Sequence, residues 1–252
     1  MAGHSKWSTI KRKKGAADKQ RAKQFTKALK EINIAIKEGG GADPETNPTL
    51  RNAIANAKGI NMPKDNIKRA IKKASGADAE NYEEVTFEGY GPYGIGFFIE
   101  CTTDNINRTV AKIREIFSKN DGSLGKNGSL EFLFERKGVF TVEKQQISMD
   151  LDELELELIE GGLDSMESDD EFVTIYTAFE DFGAMQQALE KLKIEVKNTA
   201  LERIPLNTTE LPLEEAKRIM EIEEKFEDED DVQNVFLTLE VTDELVAAME
   251  GN

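Results

Sequence analysis

The 252-residue sequence predicts an α+β chain of several domains. An N-terminal all-α helical domain is followed by two α/β ferredoxin-like sandwich domains, the third inserted into the second. Three observations predict this. The length exceeds one ordinary domain of about 100–150 residues. Apolar residues recur at helical spacing up to about residue 76 and in strand-like runs beyond it. Charge changes at the same place: the whole chain has a formal net charge of −16, yet residues 1–76 hold 18 Lys/Arg against 6 Asp/Glu.

The first 15 residues read as a basic arm carrying Lys6, Lys11, Arg12, Lys13 and Lys14, and the arm ends at Gly15. Trp7 and Ile10 are its apolar residues, so the arm is expected to order on contact. From about Ala16 to Glu38, Phe25, Ala28, Leu29, Ile32, Ala35 and Ile36 form a helical stripe, with Lys19, Lys23, Lys27 and Lys30 on other faces. Gly39-Gly40-Gly41 ends that helix. Asn47 is an N-cap with Pro48 at the first helical position, and Leu50, Ala53, Ile54 and Ala57 face inward. A third helix starts at Pro63, buries Ile67, Ala70, Ile71 and Ala74, and stops at Gly76. Its Lys64, Lys68 and Lys72 recur every four residues and so make a cationic ridge. Residues 1–76 are therefore a basic all-α nucleic-acid-binding domain.

After Ala77–Glu80, strands are expected at Val85–Glu88 and Ile95–Thr102, joined by Gly89-Tyr90-Gly91-Pro92-Tyr93-Gly94. A helix capped by Thr103 or Asp104 follows, with Ile106, Val110, Ile113 and Phe117 inward. Next come a glycine-rich loop, 121–128, and a strand, Leu130–Phe134. Residues 136–205 read as strand, helix, strand, strand, helix, strand, the order of a ferredoxin-like unit. A helix from Pro212 to about Phe226 and a strand Val235–Leu239 then return to the interrupted domain. Domain two thus comprises 80–135 plus 206–249, and domain three 136–205.

Several chemistries are excluded. Gly89, Gly91 and Gly94 fit G-x-G-x-x-G, but a strand follows instead of the helix whose N-terminus meets a pyrophosphate. A hairpin with glycines at positive φ is the better reading. His4 and Cys101, each the single residue of its type, complete no zinc site. A catalytic triad would need His4 on a mobile arm, which fixes geometry poorly. Cys101 lies in an apolar strand and reads as core. The acidic runs Asp169–Glu171 and Glu227–Asp231 lack an EF-hand pattern and read as solvated loops. No metal, cofactor, small-molecule substrate or membrane partner is expected. One cysteine, no signal sequence and no long apolar run point to a cytoplasmic protein.

A polyanion is the partner the charge selects, either DNA or ribosomal RNA. Phosphate contacts are assigned to Lys6, Lys11, Arg12, Lys13, Lys14, Lys19, Arg21, Lys23, Lys27, Arg51, Lys64, Lys68, Arg69, Lys72 and Lys73. Nothing in 1–76 reads clearly as a helix-turn-helix: Lys64, Asn66, Lys68 and Arg69 of the third helix either enter a groove or face phosphates, and the missing reader favours structured RNA over sequence-specific DNA. A second contact loop would use Asn105, Asn107, Arg108 and Lys126. Thr103-Asp104-Asn105-Ile106-Asn107-Arg108-Thr109 is either a helix cap or a phosphate site. The loop Gly122–Gly128 reads first as a connector, although its N–H groups could cradle a phosphate.

Met1-Ala2-Gly3-His4-Ser5-Lys6-Trp7, Asn47-Pro48-x-Leu50-Arg51, Asn61-Met62-Pro63, Glu88-Gly89-Tyr90-Gly91-Pro92, Thr103-Asp104-Asn105, Asn107-Arg108-Thr109-Val110 and Arg136-Lys137-Gly138 resemble the motifs of the YebC family. These motifs span residues 1–140; beyond them the agreement is in length and order. Phe87 and Tyr93 depart from the family's usual Tyr and Gly and alter the hairpin, not the basic domain. The resemblance implies a three-domain, non-enzymatic regulator. Its two implied roles are a DNA-binding transcriptional regulator and a ribosome-associated factor that helps translation through difficult sequences such as proline runs. Mitochondrial relatives are translational activators of cytochrome c oxidase.

Overall fold

A computed structural model describes residues 18–76 and 79–250. The described residues separate into two compact units: those up to 134 together with 205–250, and residues 135–204.

Within the first unit, α1 (Asp18–Glu38), α2 (Pro48–Gly59) and α3 (Lys64–Ala74) enclose a small core. Ala28, Ile32, Ala35, Ile36, Leu50, Ala53, Ala57, Met62 and Ile67 fill it. Leu29, expected in the stripe, faces out. Asn47 fixes the turn between α1 and α2. Its Oδ1 accepts from Leu50 N at 3.0 Å, and its Nδ2 donates to Ala35 O and Gly41 O, both at 2.7 Å. Thus one buried side chain caps α2 and satisfies carbonyls at the end of α1. Gly39 leaves room for it: a Cβ there would lie 2.3 Å from Asn47 Oδ1.

The sheet of this unit is antiparallel, in the order β3 (Ser123–Leu124), β1 (Glu83–Tyr90), β2 (Gly96–Thr103), β8 (Val232–Leu237). The chain meets β4 to β7 of the other unit before returning to β8. Residue pairing runs from Glu83 opposite Thr103 to Tyr90 opposite Gly96. On one face, α4 (Ile106–Lys119) and α7 (Leu213–Glu227) pack against Ile95, Phe97, Ile99 and Cys101. Phe97, Phe117 and Phe226 meet there with ring centroids 4.8–5.8 Å apart. Phe98 points to the opposite face and packs on Phe134 and Phe236. So the central strand β2 is covered on both sides, which explains its near-continuous apolar sequence. A further helix, α8 (Asp243–Glu250), follows β8.

Four local expectations differ from the structure. Residues 131–133 form a 3₁₀ turn, and the strand starts only at Phe134. The polar Ser123–Leu124 pairs with β1 as a short edge strand inside the glycine-rich loop. The inward residues of α4 are Thr109, Ile113 and Phe117, while Ile106 is exposed, because the cap is Asn105 and the helix starts later. In the hairpin between β1 and β2, the positive-φ residues are Tyr93 (φ 60) and Gly94 (φ 75). Gly89 and Gly91 serve close packing instead: a Cβ on Gly91 would lie 2.5 Å from the Phe97 ring, and one on Gly89 2.5 Å from Ser123 O.

The second unit contains β4 (Phe134–Glu143), α5 (Leu151–Ile159), β5 (Leu163–Ser168), β6 (Phe172–Ala178), α6 (Phe182–Lys191) and β7 (Val196–Pro205). Its sheet order is β5-β6-β4-β7. This is the ferredoxin-like arrangement that the element order predicts. Phe140, Val142, Leu154, Leu158, Val173, Ile175, Met185 and Leu189 form its core between sheet and helices.

Candidate nucleic-acid interface

The exposed cationic face is on α3. Lys64, Lys68 and Lys72 follow one another at one-turn intervals, all exposed and without an ion pair among the described residues. Beside them stand Arg69, bonded to Asn66 and to Asp65 O (3.3 Å), and Lys73, paired with Glu80 at 2.7 Å. The single acid of this helix, Asp65, lies in its first turn, where the helix dipole favours it. Ile67 anchors the opposite side in the core. The helix therefore carries a ridge of three unpaired lysines, with Arg69 and Lys73 flanking it.

Other predicted contacts are distributed differently. Lys6, Lys11, Arg12, Lys13 and Lys14 lie outside the described residues, as does the side chain of Lys19. Arg21 is exposed, with its guanidinium 5.5 Å from the Phe25 ring centre. Arg51 is exposed and donates from Nε to Pro44 O at 3.3 Å. Lys23 and Lys27 turn toward the acidic segment 227–231. Lys23 bonds the Asp228 carboxylate and, at 3.1 Å, its carbonyl; Lys27 donates to Gln233 O at 3.1 Å. These two side chains are engaged inside the unit, not spread toward solvent.

Lys30, one turn further along the same side, is buried. Its ammonium donates to Asp231 Oδ1 (2.9 Å), Asp230 O (2.7 Å) and Thr102 O (2.9 Å). Three acceptors match its three N–H bonds. Sheet register brings Asp231 there. Asp231 O accepts from Thr102 N at 2.8 Å just before β8 begins, beside the irregularity at Glu100/Cys101. The other carboxylate oxygen, Oδ2, accepts from Thr103 Oγ1 (3.0 Å), Thr109 Oγ1 (2.9 Å) and Arg108 (2.9 Å). Burial alone would raise the Asp231 pKa; the bonds from Lys30, Arg108 and Thr109 outweigh it and hold the group down at about 2. Arg108 is held above its ordinary range by its bonds to Asp231 and Asp104.

The polar run at 103–109 is therefore a cap and an ionic junction together. Asn105 caps α4 through a bond from Arg108 N (3.1 Å), and Arg108 spans Asp104 (2.7 Å) and Asp231. Asn107 is exposed. Arg108 is thus engaged by Asp104 and Asp231 within the chain. The glycine-rich loop is likewise occupied. Gly125 N donates to Glu88 O (2.7 Å), Gly128 N donates to the buried Glu88 carboxylate (2.6 Å), and so does Leu130 N. A protein carboxylate thus takes the N–H groups a phosphate would need, and Lys126 stands exposed on the rim.

The sequence reading missed Lys30, Asp231, Thr103 and Thr109 as a joined set. Its one available signal was Lys30 itself, at i+7 from Lys23 and within the helical apolar stretch. Partners 72 to 201 residues away could not be read from spacing. Cys101 is buried, and burial followed by the nearby Asp231 charge pushes its thiol up to about 12. That thiol is no nucleophile at neutral pH. No helix among the described residues is long and apolar enough to cross a membrane.

Comparison with known proteins agrees along the whole chain. Residues 5–77 match the model of the TACO1/YebC protein N-terminal domain, and residues 82–239 that of the TACO1/YebC second and third domain. A probable transcriptional regulatory protein of Natranaerobius thermophilus is 46% identical over 248 residues, covering 98% of this chain and 99% of that protein. A protein of the same name from Amoebophilus asiaticus is 49% identical over 238 residues, covering 94% and 97%. The crystal structure of a conserved hypothetical protein from Aquifex aeolicus superposes with a TM-score of 0.79 at 38% identity, over 90% of this chain and 93% of that one. With the basic three-helix domain, the two four-stranded sheets and these matches together, the chain belongs to the TACO1/YebC family, whose curated relatives carry the name of transcriptional regulators.

Proposed function

We propose that this protein is a non-enzymatic regulator of gene expression that grips nucleic-acid phosphate through its helical domain. The observation carrying this reading is the α3 face, where Lys64, Lys68 and Lys72 are exposed and unpaired among the described residues. Unneutralised lysines on a chain of net charge −16 concentrate positive potential at one place. Arg69 stands on the same helix, Arg51 and Arg21 are exposed on the other helices of the domain, and the N-terminal lysines would add to this charge. Such contacts supply affinity and steering more than sequence choice. The relatives' name favours DNA as the target. Among the described residues no helix is set apart as a base reader, which favours structured RNA, and with it a ribosome-bound role.

The test is a competition. Purified protein is sedimented with ribosomes at physiological salt in the presence of a promoter-length duplex. Pelleting with ribosomes despite excess duplex identifies a translation factor; transfer to the duplex identifies a DNA-binding regulator. Replacing Lys64, Lys68 and Lys72 by Gln weakens whichever association is found and flattens its log K against log salt slope by about 2–3. Unchanged binding by this variant would refute the assignment of the surface.

A further inference from the structure

The basic row on α1 and the acidic run at 227–231 are each conspicuous in the sequence, and the fold brings them together. Lys23, Lys27 and Lys30 occupy one side of α1 at successive turns. Lys23 meets Asp228, Lys27 meets Gln233 O, and Lys30 meets Asp230 O and Asp231. Lys23, Thr26 and Lys27 line the seam opposite Glu227, Glu229 and Asp230.

The contacts fall into two layers of unequal strength. In the inner layer, the Lys30 and Asp231 side chains are 7% and 13% exposed, and every hydrogen-bonding group has a partner. Opening it would strand a charge out of water, which is costly. In the outer layer, Asp228 is 58% exposed beside Lys23 at 22%. Pairs this open are worth little and exchange readily for another anion.

We propose that the acidic segment is a built-in competitor for the polyanion site: Asp228 holds Lys23 as a phosphate would, and bound nucleic acid displaces Asp228 while the Lys30–Asp231 junction stays closed. This rests on the proposed function and adds its regulation. Its consequence is a threshold. A weakly charged or short polyanion does not repay the loss of the internal pair, and a densely charged one gains Lys23 as an extra contact. The carboxylate charge at 227–231 then tunes affinity without touching the exposed α3 face.

The experiment uses the full chain and a 20-base-pair duplex DNA, with an RNA hairpin of equal charge as second probe, at several salt concentrations. Asp228→Asn should raise affinity about fivefold near 0.15 M salt, because Lys23 then reaches phosphate without first losing its carboxylate partner. Removing acidic charge anywhere favours polyanions, so two controls separate the local effect. Glu153→Gln on α5 removes equal charge from an exposed carboxylate that bonds none of Lys23, Lys27 and Lys30, and should change affinity less than twofold. Lys23→Gln combined with Asp228→Asn should abolish the gain. Retention of the gain in that double variant, or an equal gain from Glu153→Gln, overturns the proposal. A wild type that binds with a steep slope alongside an unchanged Asp228→Asn variant sinks this inference alone. Absence of binding by both proteins to both probes sinks it together with the proposed function. Asp228 closes the C-terminus of α7 through its backbone N–H, which Asn keeps, and its side chain is exposed, so a melting curve within about 2 °C of wild type is expected and certifies the comparison.

Discussion

A lysine almost wholly out of water is stable only while its partners stay in place, and Lys30 shows how this chain meets that condition. Three oxygens from two distant segments surround its ammonium, and the shared carboxylate has a second oxygen satisfied by two hydroxyls and a guanidinium. Removing one partner leaves the other charged and buried, so Asp231→Asn or Lys30→Met should each cost about 3 kcal/mol by urea denaturation. The pair also imposes a pH dependence. Because Asp231 titrates at about 2 in the fold and near 3.9 when unfolded, its contribution is complete above pH 4 and drains away between pH 4 and pH 2. Acid titration of wild type should show that loss, and Asp231→Asn should lack it. Cys101, buried in β2 next to Thr102, should resist a thiol reagent in the native protein and react once the protein is unfolded in denaturant. Native labelling at the denatured rate would contradict its place in the core.

Helices and strands were legible wherever one chemical cause dominated them. Asn47-Pro48 announced a helix start, and the structure adds that the same amide closes the preceding turn. Asn47→Ala should therefore destabilise by about 2 kcal/mol, more than a simple cap exchange, because Gly41 O loses its donor and Ala35 O keeps only Gly39 N. The start of α4 was harder, since Thr103, Asp104 and Asn105 are all capping residues, and the choice of Asn105 put Ile106 outside. In the hairpin after β1, glycines suggested positive φ, but crowding by Phe97 and Ser123 accounts for two of them. A pattern of residue types does not separate conformational freedom from lack of space. The glycine-rich loop shows the same limit at a candidate site. Its N–H groups do gather around an anion, and the anion is Glu88, 37 residues before Gly125 in the chain. Glu88→Ala should loosen residues 125–130, seen as faster amide exchange at Gly128 and Leu130.

For the whole molecule, charge segregation is the organising fact, and the fold uses it twice. Part of the basic row is consumed in holding α1 to the segment before β8, and part is left bare on α3. The sequence exposed the segregation because it is a property of composition. It hid the division of labour because that depends on contacts some 200 residues apart. The ferredoxin-like unit was readable from element order alone, because its six elements are consecutive in the chain. The central claim is that bare lysines on the helical domain bind phosphate. The most direct test is the salt dependence of the wild-type chain's binding to duplex DNA and to ribosomal RNA between 50 and 200 mM salt. This account predicts a log–log slope steeper than about −3 on at least one of them. A slope near zero on both would contradict it.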